Sequence, residues 1–140
     1  MVLHRDYPNQ ICSAARALEV VGERWTLLIV RDVLLGVHRF DQLAASTGTT
    51  PTMLTRRLSA LIADGIVEKQ RYQRHPERFE YHATAKGREL FGVIAMLMQW
   101  GERHYGPARV LVHTSCGKPL DPQLSCGGCG QPAHLDAVRR

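Results

Sequence analysis

The sequence lacks any hydrophobic run long enough to cross a membrane, because no stretch approaches the roughly 18 apolar residues that a spanning helix requires. Its first residues, Met1 to Tyr7, are charged and lack the apolar stretch of a signal peptide. No low-complexity segment or internal repeat is evident. These absences predict a cytoplasmic protein without a membrane partner, and nucleoid association is expected if the chain binds DNA.

Cysteine is scarce, and its four positions are unevenly distributed. Cys12 stands alone near the N-terminus, whereas Cys116, Cys126 and Cys129 lie close together near the C-terminus. An even spread of cysteines in an exported chain would indicate a disulfide framework, which this arrangement disfavours. In a cytoplasmic protein such thiols are expected to serve metal binding or redox chemistry.

Acidic residues are fewer than basic ones, 13 against 18, which gives a formal net charge of +5. This balance suits a polyanionic partner such as nucleic acid. Hydrophobic residues make up 44% and charged residues 22%, proportions typical of a folded globular protein. The length of 140 residues fits one domain with a small appendage. Gly106 and Pro107 mark the predicted boundary between a domain at 1–106 and a tail at 107–140.

Hydrophobic spacing and capping residues predict five helices and one hairpin before that boundary. Asn9 is the predicted cap of the first helix, whose expected buried stripe is Ile11, Ala14, Ala15 and Leu18. The other helices are predicted at Glu23–Leu35, Arg39–Ser46, Pro51 to about Asp64, and Thr84 to about Tyr105. Two strands, Ile66–Tyr72 and Phe79–His82, flank a polar turn at Gln73–Arg78. This order predicts a winged helix-turn-helix, a mainly α fold with a small β-hairpin wing (α+β).

The fourth helix is predicted to start sharply and to present two different faces. Thr50 is a good cap and Pro51 is preorganised for the first helical position. The inward side is expected to consist of Leu54, Leu58, Leu61 and Ile62. The opposite side consists of Thr52, Thr55, Arg56 and Ser59.

That polar side has no acidic residue before Asp64, so phosphates would not be repelled from it. Arginine binds guanine with two hydrogen bonds, and hydroxyl groups reach bases or phosphates. The sequence therefore predicts that this face, together with Thr50, binds double-stranded DNA in the major groove. Arg57 lies on the flank of the helix and is expected to meet a phosphate or a carboxylate.

The hairpin is basic and is expected to contact the DNA backbone or the minor groove. Its predicted DNA-binding residues are Lys69, Arg71, Arg74 and Arg78, with His75 nearby. Contacts of this kind supply affinity and salt dependence more than sequence recognition. Glu68, Glu77 and Glu80 offset part of the charge.

The last helix is apolar almost all round, from Leu90 to Trp100. Such a helix must be buried on more than one side, whereas a domain of this size offers one core face. A homodimer formed through the terminal helices is therefore predicted. Two-fold symmetry would place two recognition helices about 34 Å apart, on a palindromic operator.

Five segments, in this order and spacing, resemble the HxlR family of MarR-like winged-helix transcriptional regulators over about residues 10 to 105. They are Cys12–Leu18, Gly22–Ile29, Arg39–Leu43, Leu54–Leu58 and Tyr81–Gly87. The resemblance implies a homodimer built from the terminal helices, with operator binding by the fourth helix and the wing. The family includes repressors and activators, and some members sense electrophiles or oxidants through a cysteine at the position of Cys12.

Cys12 is predicted at the third position of the first helix, counted from the Asn9 cap. Amides at a helix N-terminus stabilise a thiolate and make it reactive. One hypothesis is that modification of Cys12 shifts the dimer and releases DNA; the alternative is a small buried apolar residue. The expected effector is a small molecule or an oxidant.

The tail contains two ligand pairs, His113–Cys116 and Cys126–Cys129, each followed by glycine. Four ligands of the type Cys3His match a closed structural Zn²⁺ site, and the tail lacks a core of its own. A small zinc-ribbon-like knuckle with these four ligands is predicted. His134 is an alternative fourth ligand, and a redox dithiol, a bare disulfide or a non-metal tail is also open.

The sequence thus predicts a sequence-specific transcriptional regulator rather than an enzyme, with repression favoured over activation. Two alternatives remain at this point. One is a small zinc or thiol redox protein centred on Cys126 and Cys129. The other is a winged-helix module that binds proteins instead of DNA.

Overall fold

A computed structural model describes residues 12–106 and 110–139 of the chain. The chain divides into two compact units, Met1–Phe91 and Gly92–Arg140. This division falls earlier than Gly106, because the second unit includes most of the last long helix. The proposed functional boundary at Gly106 stays a prediction.

The first unit begins with three helices, α1 (Ser13–Val21), α2 (Thr26–Leu34) and α3 (Phe40–Thr47). Helix α2 is the centre of the core, as its composition predicted: Ile29 and Val30 are fully buried and Val33 nearly so. Helix α1 differs from the prediction, because Leu18 is 49% exposed. The proposed cap Asn9 and the proposed core residue Ile11 lie outside the described residues.

Helices α3 and α4 (Pro51–Ala63) form the helix-turn-helix. Gly48 makes the turn possible because its φ of 76° lies in the left-handed region that side chains disfavour. Leu43, Leu54, Leu58 and Leu61 from these helices are buried at 2% exposure or less. Ile62 was expected in the same stripe but is 37% exposed, because it lies on the edge of the buried face.

The wing is an antiparallel hairpin of β1 (Val67–Arg74) and β2 (Glu77–Ala83). Both strands are longer than predicted, so the turn contracts from Gln73–Arg78 to the two residues His75 and Pro76. The register shifts between Arg71 and Gln73, which makes Tyr72 an extra residue in β1. Ile66 and Val67, at the base of the hairpin, are buried in the core.

The helix predicted from Thr84 to Tyr105 is broken into α5 (Ala85–Arg88) and α6 (Leu90–Tyr105). Thr84 caps α5 as expected, since its hydroxyl accepts a hydrogen bond from the amide of Gly87 at 3.1 Å. Gly87 itself packs so closely on the wing base that a Cβ would collide with the carbonyl oxygen of Ile66. The short helix is thereby fixed against the start of β1.

The C-terminal part of the second unit has little regular structure. It contains two isolated β-bridges, Val112 with Pro119 and Ser125 with Pro132, and a 3-10 helix at Leu135–Ala137. The winged helix-turn-helix fold predicted for the first part of the chain is confirmed.

Candidate DNA-binding surface

Helix α4 begins where the sequence predicted. The Thr50 side chain accepts a hydrogen bond from the amide of Met53 at 3.2 Å, and Pro51 occupies the first helical position. Thr50 itself is exposed. The cap therefore fixes the start of the helix and leaves the threonine at the surface.

The polar side of α4 lies at the surface of the first unit. Leu54, Leu58 and Leu61 point into the core, which turns the opposite side outward. All four predicted members of that side are exposed: Thr52, Thr55, Arg56 and Ser59. Hereafter these four residues are called the α4 face.

Thr55 is oriented by its own helix. Its hydroxyl donates a hydrogen bond to the carbonyl oxygen of Pro51 at 2.9 Å. Because the proton is used within the helix, the oxygen presents lone pairs outward. Thr55 is thus set up to accept a hydrogen bond, for example from an amino group of adenine or cytosine.

Arg57 lies apart from the α4 face and is only 23% exposed along its side chain. Its Nε lies 3.7 Å from Oε2 of Glu23, which also accepts a hydrogen bond from the Trp25 amide at 2.9 Å. A phosphate or a carboxylate was expected as the partner of Arg57, and Glu23 supplies a carboxylate. Glu23 itself was missed, because nothing in its local sequence indicates a partner so far along the chain.

The four basic side chains predicted in the wing are all exposed, but they differ in their neighbours. Arg71 pairs with Glu77 at 3.2 Å, and the Lys69 ammonium lies 4.1 Å from the centroid of the Phe79 ring. Arg74 and Arg78 lie next to the turn, where they add positive charge at the tip. The tip of the wing is therefore the part best placed to meet phosphates.

Arg39 is a basic residue near the wing that the sequence analysis did not select. Its guanidinium carbon lies 4.9 Å from the centroid of the Tyr72 ring, and its Nε lies 3.9 Å from Oε1 of Glu80. Arg39 is the N-cap residue of α3, so these contacts link that helix to the hairpin. Only the tertiary structure shows the link.

The wing is also held by the segment before α3. The Tyr81 amide donates to the carbonyl of His38 at 2.8 Å, and the His38 ring stacks on His82 with centroids 4.0 Å apart. Partial burial raises the pKa of the Tyr81 phenol. The ring of Tyr81 is partly buried and packs at the wing base.

Cys12 lies one position before α1, as its N-cap residue, rather than at the third helical position. Its backbone carbonyl accepts a hydrogen bond from the Arg16 amide at 3.2 Å, and the residue is exposed. The correction follows from where the helix starts: the extended backbone of Cys12, with ψ of 136°, cannot belong to a helix.

A cavity of about 400 Å³ lies between α1 and α5 in the first unit and was not foreseen from the sequence. Its lining is mostly apolar and includes Val20, Ile66 and Leu90, with Arg16, Lys86 and Glu89 also present. Such a mixture is common in sites for small molecules.

The four predicted metal ligands are all exposed, and they lie in two pairs. The Cys116 Sγ lies 3.6 Å from Nδ1 of His113. Backbone amides of Gly128 and Cys129 donate to the Cys126 thiol and lower its pKa. Among residues 12–106 and 110–139, no group of three or more potential ligands is gathered at one point.

A search for membrane-spanning helices in the described parts of the chain finds none that is long and apolar enough.

Comparison with known proteins gives a consistent result. The family profile of HxlR-like helix-turn-helix proteins matches residues 20–109. An HTH-type transcriptional regulator of Mycobacterium tuberculosis is 46% identical over 123 residues, which cover 85% of this chain and 78% of the relative.

Two solved structures extend the comparison. PA1607, assigned as a transcription factor, superposes with a TM-score of 0.84 at 30% identity and covers 97% of this chain and 98% of its own. The redox regulator HypR in its reduced form gives a TM-score of 0.62 at 31% identity, covering 66% of this chain and 92% of its own. With its family match, its relatives and its fold in agreement, the chain belongs to the HxlR-like helix-turn-helix family of transcriptional regulators, with a winged helix-turn-helix DNA-binding domain.

Proposed function

We propose that the protein is a sequence-specific repressor that binds a palindromic operator as a homodimer. The observation that carries the proposal is the α4 face: three hydroxyl groups and one arginine, exposed together and free of carboxylates. The face enters the major groove and Arg56 takes the role of base recognition. The α4 cap at Thr50 and the wing residues Lys69, Arg71, Arg74 and Arg78 supply contacts to the phosphates.

Arg57 contributes to this interface from the flank. Its pairing with Glu23 holds the guanidinium in place at the edge of α4. A phosphate near this edge competes with the carboxylate or shares the arginine with it. Arg57 is accordingly a positioning contact rather than a base contact.

The dimer is supported by apolar side chains that a single chain leaves uncovered. Along α6, Val93, Leu97 and Trp100 are each more than 50% exposed, and Leu18 of α1 is 49% exposed. Large apolar residues on successive turns of one helix are typical of an interface with a second copy. The terminal helices therefore form the dimer contact.

Repression is favoured because an operator-bound dimer needs only to occupy its site to exclude RNA polymerase. Activation would require an additional surface that recruits the polymerase. The proposal is tested by incubating the purified protein with the DNA upstream of its own gene. A salt-dependent complex is expected, with a footprint over two inverted half-sites about 34 Å apart.

A footprint without two-fold symmetry would contradict the dimer on a palindrome. Equal affinity for the upstream fragment and for unrelated DNA would contradict sequence-specific recognition. Transcription from the footprinted promoter in vitro then separates the sign of regulation, because a repressor lowers it as protein is added and an activator raises it.

Cys12 is proposed to make DNA binding responsive to oxidants or electrophiles. It lies exposed at the N-terminus of α1, where helix amides favour a thiolate, and HypR, a redox regulator, shares the fold. Attachment of a second group to the thiol would displace the start of α1, which the proposed dimer uses.

The matched pair for this test is the parent protein and Cys12→Ser, since both keep Cys116, Cys126 and Cys129. Diamide is expected to lower the DNA affinity of the parent and to leave that of Cys12→Ser unchanged. An equal loss of DNA affinity in the two proteins would show that Cys12 is not the sensing residue.

A small-molecule effector is the alternative trigger, and the cavity between α1 and α5 is its proposed site. The cavity touches α1 through Arg16 and Val20, so an occupant would bear on the same helix as Cys12. Its apolar lining beside Arg16 and Lys86 suits an aromatic or aliphatic molecule with an acidic group.

A further inference from the structure

The C-terminal segment contains two copies of one backbone turn. In the first copy the amide of His113 donates to the carbonyl of Lys118 at 2.9 Å; in the second the amide of Cys126 donates to the carbonyl of Gln131 at 2.8 Å. The flanking β-bridges, Val112–Pro119 and Ser125–Pro132, repeat with the same offset along the chain. The repeat is not evident in the sequence because few residue types are shared between the copies.

Each copy places two potential metal ligands at its first and fourth positions and a glycine at its fifth. The amide of Gly117 donates to the His113 carbonyl at 2.8 Å, and the amide of Gly130 donates to the Cys126 carbonyl at 2.7 Å. Both glycines have positive φ, 68° and 75°, and this left-handed conformation allows the chain to reverse directly after the second ligand. The repeated backbone therefore presents the same pair of donor positions twice.

We propose that these two turns, hereafter the knuckles 113–117 and 126–130, bind one structural Zn²⁺ through His113, Cys116, Cys126 and Cys129. Zinc prefers nitrogen and sulfur donors in a tetrahedron, and a Cys3His set completes it without a water ligand. The site is structural because all four positions of the tetrahedron are then occupied by protein.

The first knuckle already has the spacing that one zinc ion requires. Zn–S bonds of about 2.3 Å and Zn–N bonds of about 2.0–2.1 Å at a tetrahedral angle separate the two donor atoms by about 3.6 Å. The observed distance between His113 Nδ1 and Cys116 Sγ is 3.6 Å. The two donor atoms therefore lie at a separation that one zinc ion can bridge.

The second knuckle directs backbone amides at a ligand sulfur. The amides of Gly128 and Cys129 donate hydrogen bonds to the Cys126 sulfur. A Cβ at Gly128 would stand 3.7 Å from that sulfur, so the backbone passes close to the ligand atom. Hydrogen bonds from amides to a ligand sulfur are contacts of the kind that orient the ligands of a metal site.

His134 fits the site less well than His113. It lies outside both knuckles, at the N-cap of the 3-10 helix, and its equivalent position in the first copy is Asp121. A redox role for Cys126 and Cys129 alone leaves the matching first knuckle unexplained.

Several of the large apolar side chains of this segment are not buried. Val112 is 59% exposed, Leu124 62% and Leu135 86%, so these side chains do not form a core. Binding of zinc to both knuckles draws them together and supplies the folding free energy that apolar burial does not.

The test measures metal bound to the purified full-length chain. Elemental analysis is expected to give about one zinc per chain, and replacement by Co²⁺ is expected to give the intense visible bands of tetrahedral thiolate coordination. The double variant Cys126→Ser/Cys129→Ser is expected to lose the metal. His134→Gln is the matched control and is expected to keep both the zinc and the cobalt spectrum.

His113→Cys distinguishes a ligand from a residue that only stabilises the fold. It is expected to keep the metal with a cobalt spectrum shifted by the fourth thiolate, whereas His113→Ala is expected to bind zinc more weakly. A parent chain without bound zinc, a Cys126–Cys129 disulfide in protein purified under reducing conditions, or loss of metal in His134→Gln would overturn the proposed ligand set.

Discussion

The hydroxyl groups at the start of α4 serve two different purposes. Thr50 accepts a hydrogen bond from the Met53 amide and so stabilises the helix, whereas Thr55 donates to the Pro51 carbonyl and turns its lone pairs outward. The first interaction belongs to the folding of the helix and the second to the surface it presents. A substitution at Thr50 should therefore lower stability more than one at Thr55.

Thr50→Ala removes the cap and is expected to lower the free energy of unfolding by about 1 kcal/mol, because one N-terminal amide loses its partner. Thr50→Ser keeps the acceptor and is expected to stay close to the parent. Urea unfolding followed by circular dichroism measures both. Equal midpoints for the alanine variant and the parent would show that the cap contributes nothing.

The sequence predicted the exposure of single residues better than it predicted contacts between distant side chains. The exposure of Thr52, Thr55, Arg56 and Ser59 followed from helical periodicity alone. The pairing of Arg57 with Glu23 and the position of Arg39 over Tyr72 did not, because each joins side chains that only the folded chain brings together. Cys12 was misplaced because the true start of α1 is later than the Asn9 cap implied.

Among the helices and strands, the helix starts that carry a capping residue were predicted best. The Thr-Pro start of α4 and the Thr84 cap of α5 are both confirmed. The hairpin was predicted too short because its polar end still pairs as β structure, up to Arg74 and Glu77. The break at Glu89 was missed since glutamate is a good helix former and no proline stands near it.

The wing gives a prediction about salt dependence. Replacing Arg74 with Gln is expected to reduce the slope of log K against log salt by about 1, because one phosphate contact is lost. Arg71→Gln is the comparison and is expected to reduce the slope by a smaller amount, because Glu77, 3.2 Å away, shares the Arg71 guanidinium with any phosphate. The measurement is DNA affinity as a function of salt concentration.

If Arg71→Gln and Arg74→Gln reduced the slope equally, pairing within the wing would not decide which arginine meets the phosphates. An unchanged salt slope for Arg74→Gln would show that the tip of the wing does not contact the DNA phosphates.

At the scale of the whole molecule, the account requires two copies of the chain. Leu97→Glu places a charge among the exposed apolar residues of α6 and is expected to dissociate the dimer, because that charge would be buried without a partner. Arg103→Glu, an exposed position nearer the end of α6, is the control and should stay dimeric. Sedimentation velocity gives the oligomeric state of each variant.

A Leu97→Glu variant that remains a dimer would show that the dimer interface does not include this face of α6. A variant that becomes monomeric and still binds the complete operator with unchanged affinity would show that the dimer is not needed for DNA recognition.

Recognition of bases by the α4 face is tested by comparing two arginine variants. The affinities of Arg56→Ala and Arg74→Ala are measured on the operator and on unrelated DNA at one salt concentration. Arg56→Ala is expected to lose about 1–3 kcal/mol of binding on the operator and little on unrelated DNA, whereas Arg74→Ala weakens both alike. An equal loss on both DNAs for Arg56→Ala would contradict the account, because Arg56 would then contact only phosphate.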